Sequence, residues 1–214
     1  MARTTAPLLS WGASGAVAKT QVYSTWKGRS YVRRWLIPSN PKTAAQTETR
    51  SAFSWLNNFA RYLPSGALGA WQLYADNSLI TVRNAIIKQN LGALRGEVDL
   101  NNLIASPAAG GGLVAQAIAL TPGANSITVD LTEPDLPTGW TIANAWALAI
   151  RDQDPQTEAF YVSVAGSDAT TPYQIVLSGL TSAVLYQVAG WFEYVKPDGK
   201  TAYGIALLDS DTPS

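Results

Sequence analysis

Hydrophobic residues recur at steps of three and four between Ala52 and Leu63, which is the spacing of one helical face. The predicted face comprises Phe53, Leu56, Phe59, Ala60 and Leu63. Asn40 followed by Pro41 offers a helix start, and Thr43 offers a competing N-cap. Pro64-Ser65-Gly66 predicts the end of this helix.

Two further helical patterns follow the first. One covers Ala67 to Ala75, with Leu68 and Trp71 three residues apart. The other is predicted to begin after Ser78 as its N-cap and to end before Gly96. The segment therefore predicts about three helices.

Before the helices, two β-prone runs flank a short link that contains glycine. Lys27-Gly28 lies between Val22-Tyr23 and Tyr31-Val32, which predicts a β-hairpin with strands at 17–25 and 31–37. In the second strand, alternation places Tyr31, Arg33 and Trp35 on one face. It places Val32, Arg34 and Leu36 on the other. Each face carries a cation beside apolar surface, which favours a strand that meets a partner on each face.

From Leu113 onward the pattern changes to short strands separated by turns. Seven strands are predicted, at Val114–Leu120, Ser126–Leu131, Ile142–Arg151, Glu158–Val164, Tyr173–Leu177, Val184–Val195 and Thr201–Leu208. The turn signals are Pro122-Gly123, Pro137-Thr138-Gly139, Asp154-Pro155, Gly166-Ser167-Asp168, Ser178-Gly179 and Asp198-Gly199. This spacing predicts an antiparallel β-sandwich. Trp146 falls mid-strand, where such a sandwich takes a large core residue, and Leu180 and Tyr186 are spaced as in a tyrosine corner.

The predicted fold class is therefore α+β, with a helical part followed by an all-β sandwich. The predicted boundaries are an extended arm at 1–15, a hairpin-plus-helices assembly domain at 16–105, a linker at 106–113, a sandwich at 114–208 and a C-terminal tail at 209–214. Gly110-Gly111-Gly112 favours a flexible linker, since no Gly-Lys-Ser/Thr follows to make a phosphate loop. The arm carries Leu8, Leu9 and Trp11, which pack either on their own domain or on a neighbouring subunit.

Charge is divided along the chain although the net charge is zero. Residues 1–106 hold 12 Lys and Arg against 4 acids, and residues 107–214 hold 3 against 11. The resulting charges of +8 and −8 indicate two surfaces with different roles, or a drift in surface composition.

Composition excludes several chemistries. The chain has no Cys and no His, which removes disulfides, Ser-His-Asp catalysis and imidazole metal ligands. No apolar run approaches the ~20 residues of a membrane helix, and no export signal is predicted. Asp152, Asp154 and Glu158 could bind Ca²⁺, but their spacing matches no EF-hand and a solvated loop is favoured. An acid pair for glycoside hydrolysis stays open, but no spacing selects one. No catalytic residue, cofactor or metal site is predicted, and the chain is not expected to be an enzyme.

The strongest candidates for contact are aromatic and basic residues near the N-terminus. The interface candidates are Trp11, Trp26, Lys27, Arg29, Tyr31, Arg33, Arg34 and Trp35. Interleaved cations and aromatics suit phosphate contacts and base stacking, a protein interface, or cation–π packing within the hairpin.

Two segments resemble known families. Residues 114–208 resemble a fibronectin type III or immunoglobulin-like module, on the placement of Trp146 and the Leu180…Tyr186 spacing. Residues 22–95 are similar to a family of tailed-bacteriophage structural proteins, on VYSTWKGRSYVR, PSNPKTAAQTETRSAF, AWQLYA and RNAIIKQNL. The family implies a virion role, often with an Ig-like domain after such a unit, and names no catalytic residue.

The resemblance leads us to expect a phage virion structural protein, made in the bacterial host cytoplasm. Within the particle we expect a capsid-associated decoration protein that binds copies of itself or other virion proteins, without a membrane partner. The alternatives are a tail or head–tail component, a nucleic-acid-binding protein that uses the basic half, and a carbohydrate-binding adhesive module that uses the β part.

Overall fold

The computed structural model describes residues 3–4, 13–27, 29–37, 39–95, 100–155, 158, 160 and 164–214. The described residues form an α+β fold with three helices and twelve strands, and every strand pair is antiparallel. They divide into two compact units, Met1–Lys42 and Thr43–Ser214.

The first unit is a four-stranded sheet in the order β1–β2–β3–β4. Its strands are β1 Arg3–Thr4, β2 Ala13–Val17, β3 Gln21–Trp26 and β4 Arg29–Arg34. The predicted hairpin is confirmed, because Trp26 pairs with Arg29 across the turn and Tyr23 pairs with Val32.

A second hairpin divides the strand that was predicted at 17–25. Ala18 and Lys19 have φ values of 46° and 55°, and the Thr20 N–H donates to the Val17 carbonyl at 2.9 Å. Two successive positive φ values are typical of a two-residue hairpin turn. No residue type at these positions indicates the turn, since two-residue hairpin turns usually carry Asn or Gly.

The helices of the second unit are α1 Ala44–Tyr62, α2 Ser65–Ser78 and α3 Val82–Leu94. Thr43, and not Asn40, is the N-cap of α1. The cap predicted at Ser78 is wrong, because Ser78 ends α2. Thr81 caps α3, and its hydroxyl accepts from the Asn84 N–H at 3.3 Å.

The buried face of α1 differs from the predicted face at Phe53. Ala52 and Trp55 are buried and Phe53 is 48% exposed. Leu56 and Phe59 lie at the centre of this face, and Ala52 and Trp55 each lie one turn before them. Phe53 therefore lies at the margin of the face, although it is the larger hydrophobic residue.

The second unit contains eight strands in the described part of the chain. They are β5 Ala117–Gly123, β6 Ser126–Thr132, β7 Thr141–Arg151, β8 Val164–Asp168, β9 Gln174–Ser178, β10 Tyr186–Val195, β11 Thr201–Tyr203 and β12 Leu207–Asp211. One sheet has the order β5–β6–β9. The other has the order β11–β10–β7–β8, and β12 also pairs with β10.

Two turn predictions in this unit are wrong. Pro122 and Gly123 pair with Ile127 and Ser126 within the ladder, so the turn lies one step later. It includes Asn125, whose φ of 54° is tolerated by asparagine. The second predicted turn, 166–168, lies within β8.

Two of the predicted strands do not form single strands within the described residues. Most of the strand predicted at Glu158–Val164 lies outside the described residues. The strand predicted at Thr201–Leu208 is split into β11 and β12, which both pair with β10 but in registers that differ by one residue.

The larger sheet is covered on both faces. On β7, Ala145, Ala147 and Ala149 belong to the core shared with the three-stranded sheet. Leu148 and Ile150 belong to the core shared with the three helices, which also includes Trp191 of β10. The second unit therefore has three layers, with helices on one side and the three-stranded sheet on the other.

Trp146 lies on the helical side of this sheet, so the expectation that it fills the sandwich core is wrong. Its ring packs with the helical core, and its Nε1–H donates to Glu193 Oε2 at 2.9 Å. Alternation along β7 places Trp146, Leu148 and Ile150 on the side of the helices. It places alanines in the interior of the sandwich. Tyr186 does make the predicted corner contact, because its hydroxyl accepts from the Thr181 N–H at 3.0 Å.

Helix α2 approaches the sheet through glycine. A Cβ at Gly66 would overlap the Trp146 ring, and one at Gly69 would meet the Tyr203 phenol. The Tyr203 hydroxyl donates to Glu193 Oε1 at 3.2 Å. Burial, with a smaller contribution from the Glu193 charge, raises the pKa of Tyr203 to about 12.

Residues 106–113, predicted as a linker, pack against β11. The Ser106 hydroxyl donates to the Gly204 carbonyl at 3.2 Å. Ala109 and Tyr203 exchange backbone hydrogen bonds of 2.8 and 3.0 Å. The division between compact units therefore lies after Lys42, because the apolar face of the helices has its partner in β7 and β10.

Candidate interaction surface

The predicted contact residues of β3 and β4 lie together on the sheet of the first unit. Trp11 and the side chains of Trp26 and Arg29 lie outside the described residues. Arg33 and Arg34 end β4. Trp35 continues the hairpin, and its N–H donates to the Thr20 carbonyl at 2.8 Å.

Register assigns the described side chains to two faces. Arg33 is opposite Val22 and Tyr31 is opposite Ser24; these form one face, because directly opposite residues in an antiparallel pair share a face. The other face has Arg34 opposite Gln21 and Val32 opposite Tyr23. Both faces combine a guanidinium group with apolar or aromatic side chains, as the alternation predicted.

None of the described side chains of this sheet is buried. Val32 is 53% exposed, and Leu36 and Ile37 just after the sheet are 69% and 70% exposed. A small sheet is stable on its own only when it covers an apolar face. The described part of the first unit provides no such core, and its apolar side chains are left exposed or only partly buried.

The charge of the first unit has a single sign. Residues 1–42 contain seven Lys and Arg and no Asp or Glu, whereas residues 43–214 contain eight Lys and Arg and fifteen acids. Arg33 and Arg34 are exposed and have no carboxylate within their own unit. The division of charge therefore follows the division between the compact units.

A cleft of about 500 Å³ lies beside Arg34. It is lined by Lys19, Thr20, Arg34, Trp35, Leu36 and Ile37. Lys19 was not among the predicted contact residues, since it belongs to the hairpin turn that lacks a sequence signal. Leu36 and Ile37 were not predicted as contact residues, because the strand pattern did not show that β4 ends before them.

No family model and no curated protein matches the sequence. Among solved structures, one titled "Myokine structure" is similar to 48% of this chain and 99% of its own length, with 14% sequence identity and a TM-score of 0.34. This likeness indicates no function for the chain.

The acidic loop of the second unit is the other candidate site. Within the described part of the chain, no three acids are placed to hold a metal ion. Glu158 instead accepts from the Asp154 N–H at 2.7 Å, and Asp152 accepts from the Gln187 amide at 3.4 Å. The first contact satisfies the backbone of the loop itself, and the second ties the loop to β10.

No described helix combines the length and the apolar character that crossing a bilayer requires.

The sheet β1–β4 of the first unit, the basic sheet, has the most distinctive surface chemistry among the described residues. Guanidinium groups beside exposed aliphatic and aromatic side chains can bind carboxylates and apolar surface together, as protein interfaces do.

Proposed function

We propose that the chain is a structural protein of a tailed-phage particle, and that it acts as a capsid-associated decoration protein through protein–protein contacts. The observation that carries the protein-binding role is the basic sheet, which has neither a described core nor an acid of its own. The phage setting rests on the resemblance of residues 22–95 to tailed-phage structural proteins.

We further propose that the β part of the second unit is an Ig-like module of the fibronectin type III kind. The support is a three-stranded sheet β5–β6–β9 opposite a sheet in which β8, β7 and β10 are neighbours. The contact between Tyr186 and the Thr181 backbone is the one made by a tyrosine corner. In this module the outer face of the larger sheet would be covered by α1, α2 and α3.

A nucleic-acid-binding role is the second candidate, because Arg33, Arg34 and Tyr31 are exposed on one small sheet. Cations beside aromatic rings suit phosphates and stacked bases. The protein-binding role is favoured because Val32, Leu36 and Ile37 are also exposed there. Phosphate groups cannot cover aliphatic side chains, whereas a protein surface can.

Antibody labelling of particles tests the proposed role. A gold-conjugated antibody against the purified chain is applied to particles from a lysate of the host that carries the gene, and the labels are located by electron microscopy. We expect labels spread over the head. Labels at the neck or tail would indicate a tail or head–tail component, and particles without label would contradict a virion role.

DNA binding is measured separately on the purified chain at two salt concentrations. Binding through phosphate contacts weakens steeply as salt rises. Strong salt-dependent binding that is lost in Arg33→Ala would favour the nucleic-acid role over the protein-binding role.

A further inference from the structure

We infer that the basic sheet of one copy binds the outer face of the β5–β6–β9 sheet of a second copy. This inference rests on the proposed protein-binding role of the basic sheet and names its partner. The contact is head-to-tail, because the two surfaces belong to different units of the chain.

The acceptor surface is the side of the three-stranded sheet that faces away from its core. Ile127, Val129 and Leu131 are buried on the inner side of β6, so Thr128 and Asp130 lie on the outer side. In the same way Val176 of β9 is 59% exposed between buried Ile175 and Leu177. Small exposed side chains fill the rest of this face, at Ala117, Ala119 and Thr121.

The charged side chains on β6 and directly after it are all acidic. The chain has no Lys or Arg between Arg95 and Arg151. Glu133 and Asp135 follow β6 directly and are exposed, and Asp130 is held on the face by the Gln174 amide at 2.7 Å. This region is the counterpart of residues 1–42, which have no acid. Carboxylates here can pair with the Arg34 guanidinium group, which shares its face of β4 with Val32.

The apolar parts of the two surfaces also match. The face of the basic sheet that carries Arg34 also exposes the large side chain of Val32. The acceptor face exposes small side chains, which lets two sheets approach face to face. An acidic polymer without apolar surface would pair with Arg34 and leave Val32 in water. The acceptor face of a second copy can supply a carboxylate for the arginine and apolar surface to cover Val32.

The contact gives each copy one donor sheet and one acceptor face. Because the same contact can repeat from copy to copy, it builds closed rings or open chains. This is the behaviour needed to cover an extended surface with many copies.

Sedimentation of the full chain at rising protein concentration tests the inference. We expect self-association that weakens as salt increases, because the contact is between opposite charges. The donor variant R33E/R34E and the acceptor variant E133K/D135K should each weaken self-association by at least about tenfold. The matched control is R83E/K88E, which reverses two exposed charges on α3 and should associate like the unchanged chain.

Mixing the two variants gives the sharpest result. The acceptor face of R33E/R34E is intact, and so is the donor sheet of E133K/D135K, so the mixture should regain association and form at least 1:1 dimers. A chain that stays monomeric at every concentration would overturn the inference, as would equal loss in the control. Association unaffected by E133K/D135K, or a mixture without dimers, would also overturn it. These outcomes concern the purified chain, so they are independent of where antibody labels lie on particles.

Discussion

At the scale of single residues, the backbone departs from common conformations at positions that carry ordinary side chains. The residues other than glycine with positive φ are Ala18, Lys19, Lys27, Lys42, Leu79, Asn125 and Ala183 in the described part of the chain. Only asparagine among these tolerates that region well. The positive φ values of the other residues could not be predicted from the sequence, because turn prediction depends on Gly, Asn and Asp.

Leu79→Gly should stabilise the protein. Leu79 follows α2 in the left-handed conformation at φ 53° and is 93% exposed, so the change removes strain without removing packing. We expect the free energy of unfolding to rise by about 0.5–1 kcal/mol, after the greater freedom of glycine in the unfolded chain is subtracted. Urea unfolding measures it.

Leu79→Ala is the control for this change. It removes the same exposed side chain but keeps a Cβ in the left-handed conformation. A similar gain in both variants would show that exposure of the leucine side chain, and not backbone strain, is the cause.

At the scale of elements, α2 shows how a contact can override propensity. Gly66 was predicted to help end the first helix, since glycine is unfavourable inside helices. It lies instead in the first turn of α2 and is buried. Its lack of a side chain lets the helix backbone rest on the Trp146 ring.

Gly66→Ala should therefore destabilise the protein although alanine favours helices. The added methyl group would overlap the Trp146 ring, and such overpacking typically costs about 1–3 kcal/mol. Gly92→Ala on α3 is the matched control, because nothing lies within 4 Å of the added methyl group. That variant should gain up to about 1 kcal/mol. Thermal unfolding of both variants measures the two signs, and a gain at Gly66 would contradict the close packing.

Much of the element order could be predicted from the sequence, and the side of the sheet that meets the helices could not. Hairpin and helix periodicity located β3, β4 and the three helices, with errors of a few residues at their ends. Alternation in β7 shows only that Trp146 and Ala147 point to opposite faces. Which face meets the helices depends on residues distant in sequence, and the small Ala147 gave no reason to assign it to the interior.

The contact surface could likewise be predicted from the sequence only in part. The alternation of Tyr31, Arg33 and their neighbours was enough to place cations on both faces of β4. The sequence did not show the turn at Lys19, and the cleft beside it followed only from the register of three strands.

At the scale of the whole molecule, the helices and the sandwich share one core. Trp55 and Trp191 belong to the same buried cluster. The Trp55 indole N–H also reaches the Gln153 side-chain oxygen at 3.4 Å. The sheet of the first unit belongs to a separate compact unit.

Limited proteolysis should reflect this division. Trypsin should cut the exposed basic sites of the first unit, including Arg33, Arg34 and Lys42, and leave a fragment from Thr43 that melts cooperatively. Elastase should not release a stable fragment from Gly112 onward, because Ser106 and Ala109 are bound to the sheet. Mass spectrometry and calorimetry of the products measure both results. A sandwich fragment that melts cooperatively without the helices would restore the boundary predicted at 106–113.

The shared core has a consequence for synthesis on the ribosome. The helices emerge first, but Trp55 waits for Gln153, which is 98 residues further along the chain. At a translation rate of about 5–20 residues per second, that delay is roughly 5–20 s. During this time α1 lacks its contacts with β7 and β10, so the nascent chain is exposed to aggregation until both strands have been made. A chaperone that binds apolar helices would act on this chain before the sheets of the second unit exist.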